Sequence, residues 1–133
     1  MSEPSGPVRS TPDVIDRGWE QVTQAHLDDM VRGWFVGDFE PSVVRMSEAE
    51  VAVQRFRAGD IEAEHHHRAA VEVTVIVSGR AIMCGREVTA GDILVLPPGT
   101  ATSFRALEDT VTAVVKTPSV LGDKYPGVFE GEL

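Results

Sequence analysis

Cysteine is almost missing from this chain: one residue, Cys84, occurs in 133. A single thiol excludes an internal disulfide and matches a reducing compartment, so a cytoplasmic location is expected. Basic residues are scarce too, with 12 Lys and Arg against 21 Asp and Glu and a net charge of −9. That balance argues against nucleic acid and anionic membranes as partners, because their phosphates need clustered cations. No apolar run approaches the ~20 residues of a membrane span. The stretch Met1–Thr11 is rich in Ser, Pro and Gly without an apolar core, unlike a secretory signal. A Gly-rich phosphate loop, a Ser/His/Asp pattern and a CxxC pair are also absent. A small organic molecule is left as the expected partner class.

Length and composition, with 42% hydrophobic and 25% charged residues, describe one ordinary globular domain. Residues 1–13 contain Pro4, Pro7 and Pro12 with little to bury, and are expected to form a disordered arm before a domain over 14–133. Between Asp16 and Met30, the positions of Trp19, Val22, Leu27 and Met30 suggest a short helical or irregular segment. From Trp34 onward the texture is β. Short runs rich in Val and Ile recur at Val43–Met46, Val51–Arg57, Val71–Ser78, Arg80–Cys84, Ile93–Leu96, Thr102–Ala106 and Thr110–Lys116. Turn residues such as Gly59-Asp60, Gly91-Asp92 and Pro97-Pro98-Gly99 separate them. Evenly spaced short strands without intervening helices predict an all-β antiparallel sandwich or barrel.

Alternation along Glu72–Ser78 puts Glu72, Thr74, Ile76 and Ser78 on one face and Val73, Val75 and Val77 on the other. If Glu72 points inward, the valines form an outer apolar row. Such a row is unusual on a monomer, and a homodimer is expected.

Chemistry concentrates between Gly59 and Gly79. There, His65-x-His67 is followed after four residues by Glu72. On an extended chain, residues two apart project to the same side, about 6–7 Å from each other. A short loop, Arg68–Val71, returns Glu72 across from them. Two imidazoles and one carboxylate are the donors of a 2-His-1-carboxylate site with open positions for water, oxygen or substrate. His66, lying between, must point the other way. A solvated surface turn or a tag remnant is the competing explanation, and the accompanying glycine spacing weighs against it.

The pattern Gly-(x)5-His-x-His-(x)4-Glu-(x)6-Gly, running unbroken from Gly59 to Gly79, resembles the first signature of the cupin superfamily. The second signature is met at Gly91, Pro97 and Gly99 and departs at Thr102 and Ala106, where cupins carry His and Asn. The resemblance covers about residues 34–117. It implies a jelly-roll β-barrel of six to eight strands with a ligand site in its mouth. It further implies one divalent transition metal, Fe, Zn, Ni or Mn, held by His65, His67 and Glu72. The fourth cupin ligand is replaced by Thr102, a weak donor that can still hydrogen-bond a bound water or substrate oxygen.

Expected pocket residues are Thr102 and Phe104 from one strand, Thr74 beside Glu72, and Gln54 and Phe56 from Val51–Arg57, with core packing favoured over substrate recognition for Phe104. The opposite parity of that strand would instead direct Arg55 or Arg57 inward. Lys116, at a strand end, is expected to be solvated, with a substrate contact as the minority reading, and Cys84 to occupy a hairpin tip without catalytic use. The functional expectation is a metal-dependent enzyme on a small organic molecule. Dioxygenase-like chemistry is the first guess and redox-neutral isomerase or lyase chemistry the second. A non-catalytic ligand-binding or sensing module is the alternative, because the expected lining lacks a general base; no catalytic residue is assigned.

Overall fold

A computed structural model of the chain describes residues 21–131. The proposed arm over residues 1–13 and Trp19 fall outside them. Ten strands form two five-stranded sheets packed face to face. The first sheet has the order β1 (Trp34–Val36), β2 (Glu50–Phe56), β9 (Thr110–Thr117), β4 (Val71–Ser78) and β7 (Ile93–Leu96). The second has the order β10 (Tyr125–Pro126), β3 (Ile61–His66), β8 (Thr102–Ala106), β5 (Arg80–Met83) and β6 (Arg86–Thr89). Every named strand pairing is antiparallel. Successive strands cross between the sheets, which is jelly-roll topology. No helix among the described residues is long and apolar enough to cross a membrane.

Six of the seven expected β runs are strands. The seventh, Val43–Met46, contributes only an isolated bridge from Val44 to Val36. It runs beside the short strand β1 with only three backbone hydrogen bonds, to Phe35 and Gly37, and Arg45 is drawn to Asp38 and Glu40. Of the helical or irregular alternatives for the segment before Trp34, the described part of it takes the irregular one. Val22 is 94% exposed, and only one 3-10 turn, Leu27–Asp29, forms. Without an apolar face to bury, nothing offsets the cost of helix nucleation.

Alternation decides what each strand buries. On β4, Glu72, Thr74 and Ile76 are buried while Val73, Val75 and Val77 face outward, as the sequence predicts. Ser78 leaves the interior because a register shift between Ile76 and Ser78 ends the regular ladder. One end of the barrel is sealed by Ile76, Ala81, Met83, Val88, Leu96, Phe104 and Ala106. Gly79 makes the tight β4–β5 connection at φ 93°, where a Cβ would stand 2.3 Å from the Asp109 carbonyl oxygen. That position therefore needs glycine twice over, for its dihedral and for its space. Cys84 and Gly85, both at positive φ, form the two-residue turn of the β5–β6 hairpin.

Candidate metal centre

The other end of the barrel is open, and there the inner faces become polar. His65 lies near the end of β3 and His67 one residue beyond it, while Glu72 is the second residue of β4 in the opposite sheet. The loop Arg68–Ala70 joins the two sheets and is gripped by Asp123. Its carboxylate accepts hydrogen bonds from the backbone N–H groups of Arg68 (2.8 Å), Ala69 (3.1 Å) and Ala70 (3.0 Å). Burial alone would lift the Asp123 carboxyl, but the three donors more than offset it and hold it below its ordinary value.

Each histidine of the pair is oriented through its Nδ1. His65 Nδ1 donates to the Ala63 carbonyl at 2.9 Å, and His67 Nδ1 donates to the Asp123 carbonyl. A carbonyl oxygen only accepts, so both Nδ1 atoms carry hydrogen and both Nε2 atoms are directed elsewhere. This is how ligating histidines are commonly fixed. Burial lowers the His65 pKa below the usual imidazole range against the opposing Ala63 hydrogen bond, with Lys124 and His67 adding to the fall. That shift favours the neutral form, whose Nε2 offers a lone pair. His67 Nε2 faces Glu72 Oε1 at 3.2 Å, and Thr74 Oγ1 donates to Glu72 Oε2 at 2.7 Å. Burial would raise the Glu72 carboxyl; His67 and Thr74, with the charge of Lys116, hold it below its normal value instead.

The facing of His67 Nε2 and Glu72 Oε1 bears on whether a cation fits. Two lone-pair atoms 3.2 Å apart require positive charge between them, as a proton or as a metal ion. Two ligands at ~2.1 Å from one ion, about 100° apart, would show that separation. The His65 ring lies edge-on to the His67 ring with centroids 5.2 Å apart. As placed, the trio is not a finished coordination shell: among the described residues, no group of three His, Cys, Asp or Glu side chains is gathered tightly enough to hold an ion. The donor types, two imidazole nitrogens and a carboxylate, are those that divalent transition metals take.

His66 points away from the lumen, as its parity requires, yet it is buried. Its Nδ1 donates to the Gly127 carbonyl at 2.8 Å, and its Nε2 accepts from Arg68 Nε at 3.1 Å. The Arg68 guanidinium lies 3.8 Å above the Tyr125 ring, so the C-terminal segment covers this side of β3.

A cavity of about 320 Å³ opens over His65, His67 and Glu72. Thr102 and Gln54 line it as expected from parity, and Thr102 Oγ1 accepts from Cys84 Sγ at 3.3 Å. Phe104, Phe56 and Thr74 do not. Phe104 and Phe56 stack on each other at 4.4 Å in or against the apolar core, and Thr74 is spent on holding Glu72. Arg55 and Arg57 are exposed, so the chosen parity of β2 holds.

Lys116 corrects the sequence reading most sharply. It is 7% exposed and lines the cavity, with Nζ 3.0 Å from Glu50 Oε2 and 5.3 Å from the Trp34 ring centre. Glu50, which sequence reasoning missed, also accepts from Ser119 Oγ at 2.7 Å. Parity on β9 carries the available signal: Thr110, Thr112, Val114 and Lys116 share one face, all of them buried. Asp123 was missed as well, since only the return of the C-terminal segment brings it to the loop.

No protein-family model and no curated protein matches the chain. Solved structures do. A protein with a double-stranded β-helix domain from Klebsiella pneumoniae is 19% identical with TM-score 0.61, over 84% of this chain and 95% of that one. KdgF from a Halomonas species is 22% identical with TM-score 0.54, over 57% and 74% of the two chains. A cupin-superfamily sugar phosphate isomerase from Silicibacter pomeroyi is 19% identical with TM-score 0.52, over 56% and 53%. The fold is that of the cupins.

Proposed function

We propose that this protein is a metal-dependent enzyme acting on a small organic molecule, with one divalent transition metal held by His65, His67 and Glu72. The observation that carries this reading is the 3.2 Å approach of His67 Nε2 to Glu72 Oε1 at the inner end of a cavity. When bound, the ion would supply Lewis acidity or, if it is iron, dioxygen chemistry. The chain supplies the rest. The Ala63 and Asp123 carbonyls and the Thr74 hydroxyl orient the three donors. Trp34, Phe39 and Val120 give the cavity wall its apolar part. Glu50 and Lys116 place a buried carboxylate and ammonium beside the reaction space.

That last pair favours redox-neutral isomerase or lyase chemistry over the dioxygenase-like first guess. Moving protons needs ionisable groups in the cavity, and this lining contains them. The likeness to a structure described as a sugar phosphate isomerase points the same way. A homodimer is part of the proposal, supported by an outer sheet face where Val77, Ile93 and Val95 are each more than half exposed. A cytoplasmic location stays with it on the single cysteine.

Untagged protein loaded separately with iron, zinc, nickel and manganese tests the reading. One ion per chain, together with solvent deuterium entering a substrate C–H position without oxygen uptake, is the expected result. Stoichiometric iron with substrate-dependent oxygen consumption restores the dioxygenase. Failure to retain any of the metals leaves a ligand-binding or sensing module.

A further inference from the structure

The buried ammonium of Lys116 has hydrogens to spare. Its ion pair with Glu50 uses one, and among the described residues it makes no other hydrogen bond or ion pair. The Trp34 ring face 5.3 Å away takes part of its charge, but no second oxygen or nitrogen acceptor of the described residues is paired with it, although the residue is 7% exposed and lines the cavity. A buried charged donor left unsatisfied is costly, so its natural acceptor is an oxygen inside that cavity.

Register fixes where this oxygen would be. In the central sheet Lys116 is directly opposite Glu50 on one side and Glu72 on the other. Directly opposed residues have Cβ atoms about 4.5–5.5 Å apart. An oxygen held by Lys116 and an oxygen reaching the donors around Glu72 can therefore belong to one molecule, a few bonds apart. Charge narrows the class. Where the three cross-strand neighbours meet, Glu50, Lys116 and Glu72 carry one net negative charge, which a divalent ion at Glu72 would turn into one net positive charge; elsewhere the lining adds Arg32 and Lys124 against Glu40, Glu62 and Asp123. A monoanion neutralises that local positive charge.

We infer that Lys116 anchors a carboxylate oxygen of the substrate, and that the cavity selects small hydroxy- or oxo-carboxylates over neutral molecules of the same shape. The inference rests on the reading of His65, His67 and Glu72 as a metal centre, and it assigns Lys116 the role of specificity residue beside it. Glu50 and Ser119 hold the ammonium in place; Asp38 N–H in turn donates to Ser119 Oγ at 2.9 Å.

Titration calorimetry with glycolate and its neutral amide, glycolamide, tests this on metal-loaded and metal-free protein. Wild type should prefer glycolate by about tenfold or more, the scale of a charge-assisted hydrogen bond. The double variant Lys116→Met/Glu50→Gln, which strands no buried carboxylate, should lose that preference while its metal content stays the same. Lys116→Arg should keep part of it. A double variant that still prefers glycolate, or a wild type indifferent between the two probes, overturns the assignment. Metal is quantified on the same samples, so a chain that retains no ion contradicts the metal reading separately. In the metal-free samples, a glycolate affinity unchanged between wild type and the double variant overturns the role of Lys116.

Discussion

The two ends of this barrel are built from the same strands and do opposite work. On β4 the inward positions run Glu72, Thr74, Ile76, from charged to apolar within five residues. On β8, Thr102 borders the cavity while Phe104 and Ala106 belong to the sealed core. At the closed end side chains mostly fill space, and the buried Thr110 hydroxyl is satisfied by the backbone of Arg80 and Glu108. At the open end buried polar groups are held by one another: Glu72 by Thr74 and His67, Glu50 by Ser119 and Lys116, and the 68–70 loop by Asp123. Alternation tells which side chains enter a barrel. Distance along the strand decides whether they meet a core or a cavity.

Substitutions at the two ends should therefore separate stability from binding. The largest effect on folding is expected at the closed end. Phe104→Ala removes a 5%-exposed ring stacked on Phe56 and should cost about 3–5 kcal/mol in urea denaturation, with one metal still bound per folded chain. At the open end the balance inverts. His65→Ala should abolish metal retention in equilibrium dialysis, exceeding the ~10- to 100-fold loss typical of outer-shell changes. Its effect on metal-free stability should stay within about 1 kcal/mol, because its one protein hydrogen bond, to Ala63, is local.

Asp123→Ala crosses the boundary. It releases three backbone donors and loosens the segment whose carbonyl orients His67, so it should cost about 1–3 kcal/mol and also weaken metal binding about tenfold. If it lowers stability without touching affinity, the clasp is structural alone.

Much of the closed end was readable in advance, and only half of the open one. The β4 alternation and the His-x-His spacing are local patterns, visible without knowing the fold. Strand β3 was harder to see, since Glu62 and Glu64 interrupt any apolar rhythm. Lys116 and Glu50 were hidden for a physical reason. A lone charge at a strand end belongs in water, and only the cross-strand register that pairs these two makes burial tolerable. Asp123 lies 55 residues from Arg68, whose N–H it accepts, a separation no sequence period encodes.

Acid should affect the open end first. His65, Asp123 and Glu72 all have folded pKa values below their ordinary ones. The unfolded chain then binds more protons than the folded one, so stability falls as pH drops. For metal-free protein the loss begins near the ordinary His value of 6.5 and deepens below 4.5 and 3.8, the reference values of Glu and Asp. Denaturation midpoints from pH 8 to 3 check this, and His65→Ala should flatten the upper part of the slope. The smallest effect on folding belongs to the outer face. Val95→Thr should change stability by no more than ~0.5 kcal/mol. It should still shift the elution of a dimer toward the monomer, since Val95 is 61% exposed within the apolar row.

X-ray absorption spectroscopy on protein carrying one equivalent of bound metal addresses the central claim most directly. The account predicts a first shell containing two imidazole nitrogens and a carboxylate oxygen at about 2.0–2.2 Å, with one imidazole lost in His65→Ala. A shell of water oxygens alone, or one unchanged by that substitution, would contradict it.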